Sequence, residues 1–537
     1  MARIRISHVL VTSAIVGSLL QLAARAQEEK LGEVNFPISC SAAAQAQFNR
    51  ALAMLHSFFF PETVKAFTAL ARQEPSCAMA HWGIAISQRP NPLVAPFPAE
   101  MMKSGWEAIE AARAAGARAQ REKDWIEALA VFFKDYDKVD LRTRTLAYEA
   151  AMARLTERYP DDTEAAIFYA LALNEAVDLS DKTYARQFKA AAILQTIEPR
   201  QPNHPGIAHY IIHSYDFAAI CQQGLPAARR YAQLAPTAPH ALHMPSHTFS
   251  MLGMWDDSIA ANVKTIAASQ DYAAKNNLDG IYAAVPHSYD FVQYAYLQLG
   301  QDGKARALMA EAGAIQKIFR PILGSETGLA AVSARYMLER QDWRGAAALP
   351  SPVAVNALPA RAITHFARAL GAARSGDLTA AQADIDKLSE FSAALGKTNQ
   401  PYWAGQVDVQ ILAAQAWLAQ GRGNRAEALK LMRAAADLED RSEKHVAMEN
   451  RLYPMRELLA DLLMEQDQAA AALTEYEASM KNAPERLRGF YGAAKAAAAS
   501  GDREKSAVYF SSLVRLTRNG DGDRAEVREA KQFTAAK

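Results

Sequence analysis

The sequence is poor in cysteine, poor in helix breakers, and carries no excess of either charge. Three cysteines in 537 residues exclude a disulfide-rich scaffold, and no C-x-x-C or C-x-x-C-H motif offers a ribbon-type zinc site or a haem attachment point. With 26 Gly and 23 Pro the chain is not collagenous, and at 50% apolar and 22% charged residues it has ample material for a packed core. Lys plus Arg number 59 and Asp plus Glu 58, a balance that argues against a nucleic-acid partner, because phosphate-binding surfaces need a clear basic excess. Beyond the N-terminal region no uncharged apolar run is long enough to span a bilayer, so no transmembrane segment is expected in the mature chain. A phosphate-cradling glycine loop, a G-x-S-x-G elbow and the H-E-x-x-H pair of metalloproteases are all missing. The acidic stretch from Asn519 to Asp523 is too short for a calcium loop and lacks the closing bidentate Glu.

What is present begins with a targeting segment. Arg3 and Arg5 precede an apolar stretch from Val9 to Leu20, and Ala24-Arg25-Ala26 forms an A-x-A cleavage signal. A secretory signal peptide cut after Ala26 is therefore expected, which places the mature protein in the periplasm or outside the cell. No cysteine follows the cut, so a lipid anchor has no support. Export permits a disulfide. Helix-hairpin geometry favours Cys40 with Cys77, the alternative being buried thiols; Cys221 is left over as a thiol or a soft ligand.

The length allows three to four domains or one long repeat array. Ala is abundant and no segment shows strand periodicity, so the expected fold class is all-α. A repeat is visible near the C-terminus. Ala472, Tyr476 and Ser479 recur at one constant offset as Ser506, Phe510 and Leu513. Turns at Leu252-Gly253, Leu299-Gly300 and Ser375-Gly376 are followed by small residues at similar spacing. This pattern resembles the tetratricopeptide (TPR) family, whose unit is two antiparallel helices in about 34 residues. The resemblance implies an α-solenoid in which small residues let paired helices approach and aromatics fill the space between hairpins. It also implies a role in binding a protein or peptide partner. The expected organisation is an irregular TPR-like array over 27–310, a loop-rich connecting hairpin over 311–360, a second array over 361–518 and a flexible tail over 519–537.

The chemistry is concentrated in one window. Apart from His8 there are eleven histidines, and seven of them lie between 204 and 287: His204, His209, His213, His240, His243, His247 and His287. His209, His213 and Asp216 stand at i, i+4 and i+7, and so share a face if helical. His240, His243 and His247 stand at i, i+3 and i+7, and His287 and Asp290 at i and i+3. The pentapeptide HSYDF occurs at 213–217 and again at 287–291, and His213 and His247 are separated by one repeat period. Three successive hairpins thus place imidazoles on their first helices, which in TPR solenoids line the concave groove. Neutral imidazoles with one or two carboxylates suit zinc, iron, manganese or copper. The candidate metal ligands are His209, His213, Asp216, His243, His247, His287 and Asp290. His204, His240, Tyr215, Tyr289 and Tyr294 are candidates for lining the groove or orienting the ligands. Two other readings stay open: a polar groove for a peptide or envelope partner, and histidines that serve packing alone. His56, His365 and His445 are isolated in sequence and are read as structural or exposed.

The segments CAMAHWGIA, HPGIAHYIIHSYD and APHALHMPSHTFSMLGMWDDSI resemble exported bacterial TPR proteins of unestablished role. That resemblance spans most of 35–310. It implies that the histidine segments belong together and supplies no reaction.

Overall fold

A computed structural model describes residues 30–398 and 400–535; the signal-peptide reading of 1–26 falls outside them. The described chain is an all-α, TPR-like array of helical hairpins, with one two-residue parallel pairing of Ile281–Tyr282 with Ile318–Phe319. No described helix is long and apolar enough to cross a membrane.

Local chemistry sets the helix ends. Ser41, Asp140, Asp162, Asp377 and Asp502 accept a backbone N–H from the first turn of the helices that they precede, which satisfies donors that have no partner inside the helix. Gly376 closes the helix Leu358–Ser375 with φ at +92°, where a side chain would be strained. Consecutive helices pack on one another, and several also meet the next but one: Thr163–Glu175 touches Pro205–Ser214, and Leu323–Glu339 touches Leu358–Ser375. Small residues and aromatics mesh as the repeat requires. A methyl group at Gly83 would strike Phe67, and one at Gly492 would strike Tyr476. All six residues of the C-terminal repeat, from Ala472 to Leu513, are buried. Cys40 and Cys77 are joined by a disulfide that ties the start of Ala42–His56 to the start of Ala78–Ile86, while Cys221 is a buried free thiol.

The apolar core has two main parts. One gathers buried residues from Leu31 to Phe249; the other gathers, besides Val94, residues from Ala283 to Ala497. The histidine window straddles the seam between them. The segment expected as a loop-rich connector contains the 17-residue helix Leu323–Glu339, whose Arg335 is fully buried. The expected flexible tail is also corrected: Ala525–Ala535 is a helix with Val527 and Ala530 buried, and Arg524 just before it forms a buried ion pair with Asp302 at 2.7 Å. Val527 and Ala530 are three apart, one helical turn, so this short segment has an apolar stripe to bury.

Candidate metal centre

Three successive first helices meet side by side. Pro205–Ser214 brings His209 and His213; Pro239–His243 and Pro245–Met251 bring His240, His243 and His247; Ala284–Gln298 brings His287. The stretch read as one helix is two, because Pro245 has no N–H to continue the ladder. Met244 nevertheless keeps helical angles, so His243 and His247 remain one turn apart. Asp216 also departs from the expected helix face. Its helix ends at Ser214, and Asp216 sits in the following turn, with Oδ2 2.8 Å from His247 Nδ1 and 3.5 Å from His213 Nδ1.

The six rings fall into two sets. In the first, His209 Nε2 lies 3.1 Å from His213 Nε2 and 3.1 Å from His240 Nε2. In the second, His243 Nε2 lies 3.0 Å from His247 Nε2, and the His287 ring centre is 4.6 Å from that of His243. Within each set one ligand atom per residue lies within 4.8 Å of the others. Each set is backed by a phenylalanine: Phe58 against His209 and His240, Phe291 against His243 and His247. His209, His213, His243 and His247 are buried, while His240 and His287 are half-buried. The face is therefore a closed cluster rather than an open groove.

Four of the six outer nitrogens are committed elsewhere. His209 Nδ1–H donates to the His56 carbonyl at 2.6 Å. His243 Nδ1–H donates to Asn262 Oδ1 at 2.7 Å, and the Asn262 amide is oriented by its own bond to the Ser258 carbonyl. His247 Nδ1–H donates to Asp216, and His287 is hydrogen-bonded to the Gly324 backbone. A neutral imidazole whose Nδ1 carries the proton presents a bare lone pair at Nε2. His209 and His243 present such lone pairs, each facing a neighbouring imidazole nitrogen at 3.0–3.1 Å.

Electrostatics divide the cluster. Burial pushes His209, His240 and His243 well below the ordinary imidazole value, and their neighbours add to the effect. Burial lowers His213 against the pull of Asp216, and burial with His247 pushes His287 down to about 3. His247 is the exception. Burial opposes its charge, but the carboxylates of Glu449 and Asp216 raise it to about 10. Glu449 is pushed up by burial and by Asp216, whereas Asp216, although buried, is held low by His247 and His213.

Several expected members lie elsewhere. Asp290 is engaged by Arg335 at 2.8 Å and by Asn450 at 3.1 Å, because the second HSYDF copy continues as helix and carries the carboxylate away from the imidazoles. Tyr289 donates to Glu311, Tyr294 bonds Arg486 and Tyr215 packs against Phe188, so none of the three orients a cluster histidine. His204 belongs to a separate buried group with His56 and Glu164, at 2.9 and 3.0 Å from the Glu164 oxygens. His56, read as isolated, is fully buried, and its carbonyl anchors His209.

Glu449 was invisible from the sequence. It lies in the non-helical stretch 441–454, which lacks any motif, and its Oε2 reaches to 2.6 Å from His247 Nδ1. This stretch is fastened across the seam. Glu443 N–H donates to the Leu179 carbonyl, Thr327 donates to the Ala447 carbonyl, and Arg335 donates to the carbonyls of Asn450 and Arg451. A narrow cleft runs beside it, lined by Asp216, Ser250, Tyr294, Glu449 and Arg451 among others.

No family model and no curated protein matches this chain. Among solved structures, Naa15/Naa10 bound to HypK-THB is 12% identical, with a TM-score of 0.25 and coverage of 92% of each chain. The APC/C hetero-tetramer Cut9–Hcn1 is 10% identical, with a TM-score of 0.34 and coverage of 91% of this chain and 90% of that one.

Proposed function

We propose that this chain is an exported metalloprotein whose buried imidazoles hold a transition metal, either for metal handling or for an as yet unassigned metalloenzyme activity. The observation that carries the reading is the convergence of imidazole Nε2 atoms at 3.0–3.1 Å, with the Nδ1 atoms of His209, His243 and His247 held by a backbone carbonyl, Asn262 and Asp216. Nitrogens bound at 2.0–2.1 Å around a tetrahedral ion are about 3.3 Å apart, close to the 3.0–3.1 Å separations in both sets. Hydrogen bonds from Nδ1 to Asp216, Asn262 and the His56 carbonyl are the outer contacts that fix imidazole ligands in place. Zinc, iron and copper all accept imidazole. The Cys40–Cys77 disulfide supports an oxidising compartment and hence export.

The test is metal content by mass spectrometry on tag-free full-length protein, beside His213→Ala/His247→Ala. At least one stoichiometric metal per chain, lost in the folded double variant, is the expected result. Absence of stoichiometric metal from the folded wild-type protein overturns the reading.

The helical array supports a second role, capture of a protein or peptide partner, since stacked hairpins present long continuous surfaces. Partners that co-purify after chelation, and are lost on altering exposed helix residues, would establish it independently of the metal.

A further inference from the structure

The two histidine sets are alike in construction. Each has an H-x-x-x-H pair on one helical turn, His209 with His213 and His243 with His247, and the pairs are offset by one repeat period. Each is completed by a half-buried third histidine, His240 or His287, and each is backed by a phenylalanine, Phe58 or Phe291. Within the sets, ring centres stand 4.8, 4.9 and 6.3 Å apart in the first and 4.9, 4.6 and 6.1 Å apart in the second, so each set holds two close pairs. Between the sets, His213 and His247 are 6.2 Å apart, as are His240 and His243. One ion bound by three imidazoles uses one set and leaves the other, equally built, without a ligand to explain it.

We infer that the six histidines form a two-metal centre, one ion per three-imidazole set, and that its ions are copper. This rests on the metalloprotein reading above. The donor set selects the element. Imidazole nitrogens supply all six Nε2 positions, whereas Mg, Ca and Mn prefer oxygen ligands. Copper is among the metals that imidazole suits. Charge points the same way. Six neutral ligands leave the full charge of both ions in a buried site, and the cost of burying charge rises steeply with its magnitude. A pair of monovalent copper ions carries half the charge of a pair of zinc ions. Asp216 spans the sets from outside, with its Oδ2 near Nδ1 of both His213 and His247. It offsets part of the charge while leaving the Nε2 side to the metals.

The experiment loads full-length protein anaerobically with copper(I), removes excess metal, and counts copper per chain by mass spectrometry. Wild type is expected to hold two copper ions. His209→Ala/His240→Ala and His243→Ala/His287→Ala are each expected to hold one, with wild-type circular dichroism. Should either double variant misfold, His240→Gln and His287→Gln, which alter the half-buried positions alone, are expected to weaken one copper each in a chelator competition. After oxidation, wild-type copper should show an ion–ion effect in its electron paramagnetic resonance spectrum, as lost intensity or broadening, that each one-set variant lacks. One copper in wild type, loss of all copper from a one-set variant, or identical spectra overturns the pair while leaving the metalloprotein reading intact. Two zinc ions retained against copper in competition overturns the element. No metal under any condition overturns the metalloprotein reading itself.

Discussion

His247 Nδ1 lies 2.8 Å from Asp216 Oδ2 while its Nε2 lies 3.0 Å from that of His243, so one ring links a carboxylate to the inner face of the cluster. Asp216→Asn keeps the shape and removes the charge. Metal affinity should fall by about 10- to 100-fold, the usual effect of losing such an outer carboxylate. Competition with a chelator of known affinity measures it, and unchanged affinity would show that Asp216 neither orients nor charges the site.

Arg486 is fully buried and is held by Glu457 at 2.7 Å, Glu339 at 2.8 Å and the Tyr294 hydroxyl at 2.8 Å. Arg486→Met leaves two buried carboxylates without their cation. Stability should drop by about 3–5 kcal/mol. Adding Glu339→Gln and Glu457→Gln to Arg486→Met should recover part of the loss, and urea unfolding of the two variants compares them directly.

The C-terminal helix is part of the packed array. Arg524 pairs with Asp302, and the Phe533 ring lies 4.7 Å from that of Phe510. Ending the chain at residue 518 removes these contacts together with buried Val527 and exposes the surface beneath. The unfolding midpoint should fall, by an amount on the order of 3 kcal/mol if one or two apolar side chains lose their cover. An unchanged midpoint would mean that the helix adds nothing to stability.

Glu439 provides a pH dependence. Burial acts to raise it, but Lys444 at 3.0 Å and Arg451 at 3.2 Å hold it down to about 2. Its folded value is below the ordinary carboxylate value, so the stabilisation is fully present above about pH 4.5 and is lost as pH falls through about 2. The contribution is on the order of 3 kcal/mol at neutral pH. Glu439→Gln should therefore be less stable than wild type at pH 7, and the gap should shrink between about pH 4.5 and pH 2. Denaturant midpoints across that range give the comparison; a gap independent of pH would assign the effect to packing.

The helical array and the pairing of imidazoles were legible because both follow from spacing: a constant interval between repeats, and a single helical turn between His209 and His213. The carboxylates were not. The same pentapeptide, HSYDF, meets two fates. After His213 the helix stops at Ser214, and Asp216 turns back onto the cluster. After His287 the helix runs on to Gln298, and Asp290 is delivered to Arg335 instead. The pentapeptide is identical in the two copies, so the flanking sequence and the surrounding packing separate them. Glu449 is harder still, since nothing in 441–454 marks it and its role comes from long-range contacts such as Thr327 to Ala447. The tail misled because its glycines and charges conceal the short apolar stripe of Val527 and Ala530.

Glu449 comes from a part of the chain that is synthesised long after the histidines. A chain that emerges N-terminus first presents its imidazoles early and covers them late, when 441–454 folds back and is fastened at Leu179, Thr327 and Arg335. Before that moment His247 lacks one of its two carboxylate neighbours. The order of synthesis thus makes the imidazoles available before the segment that covers them.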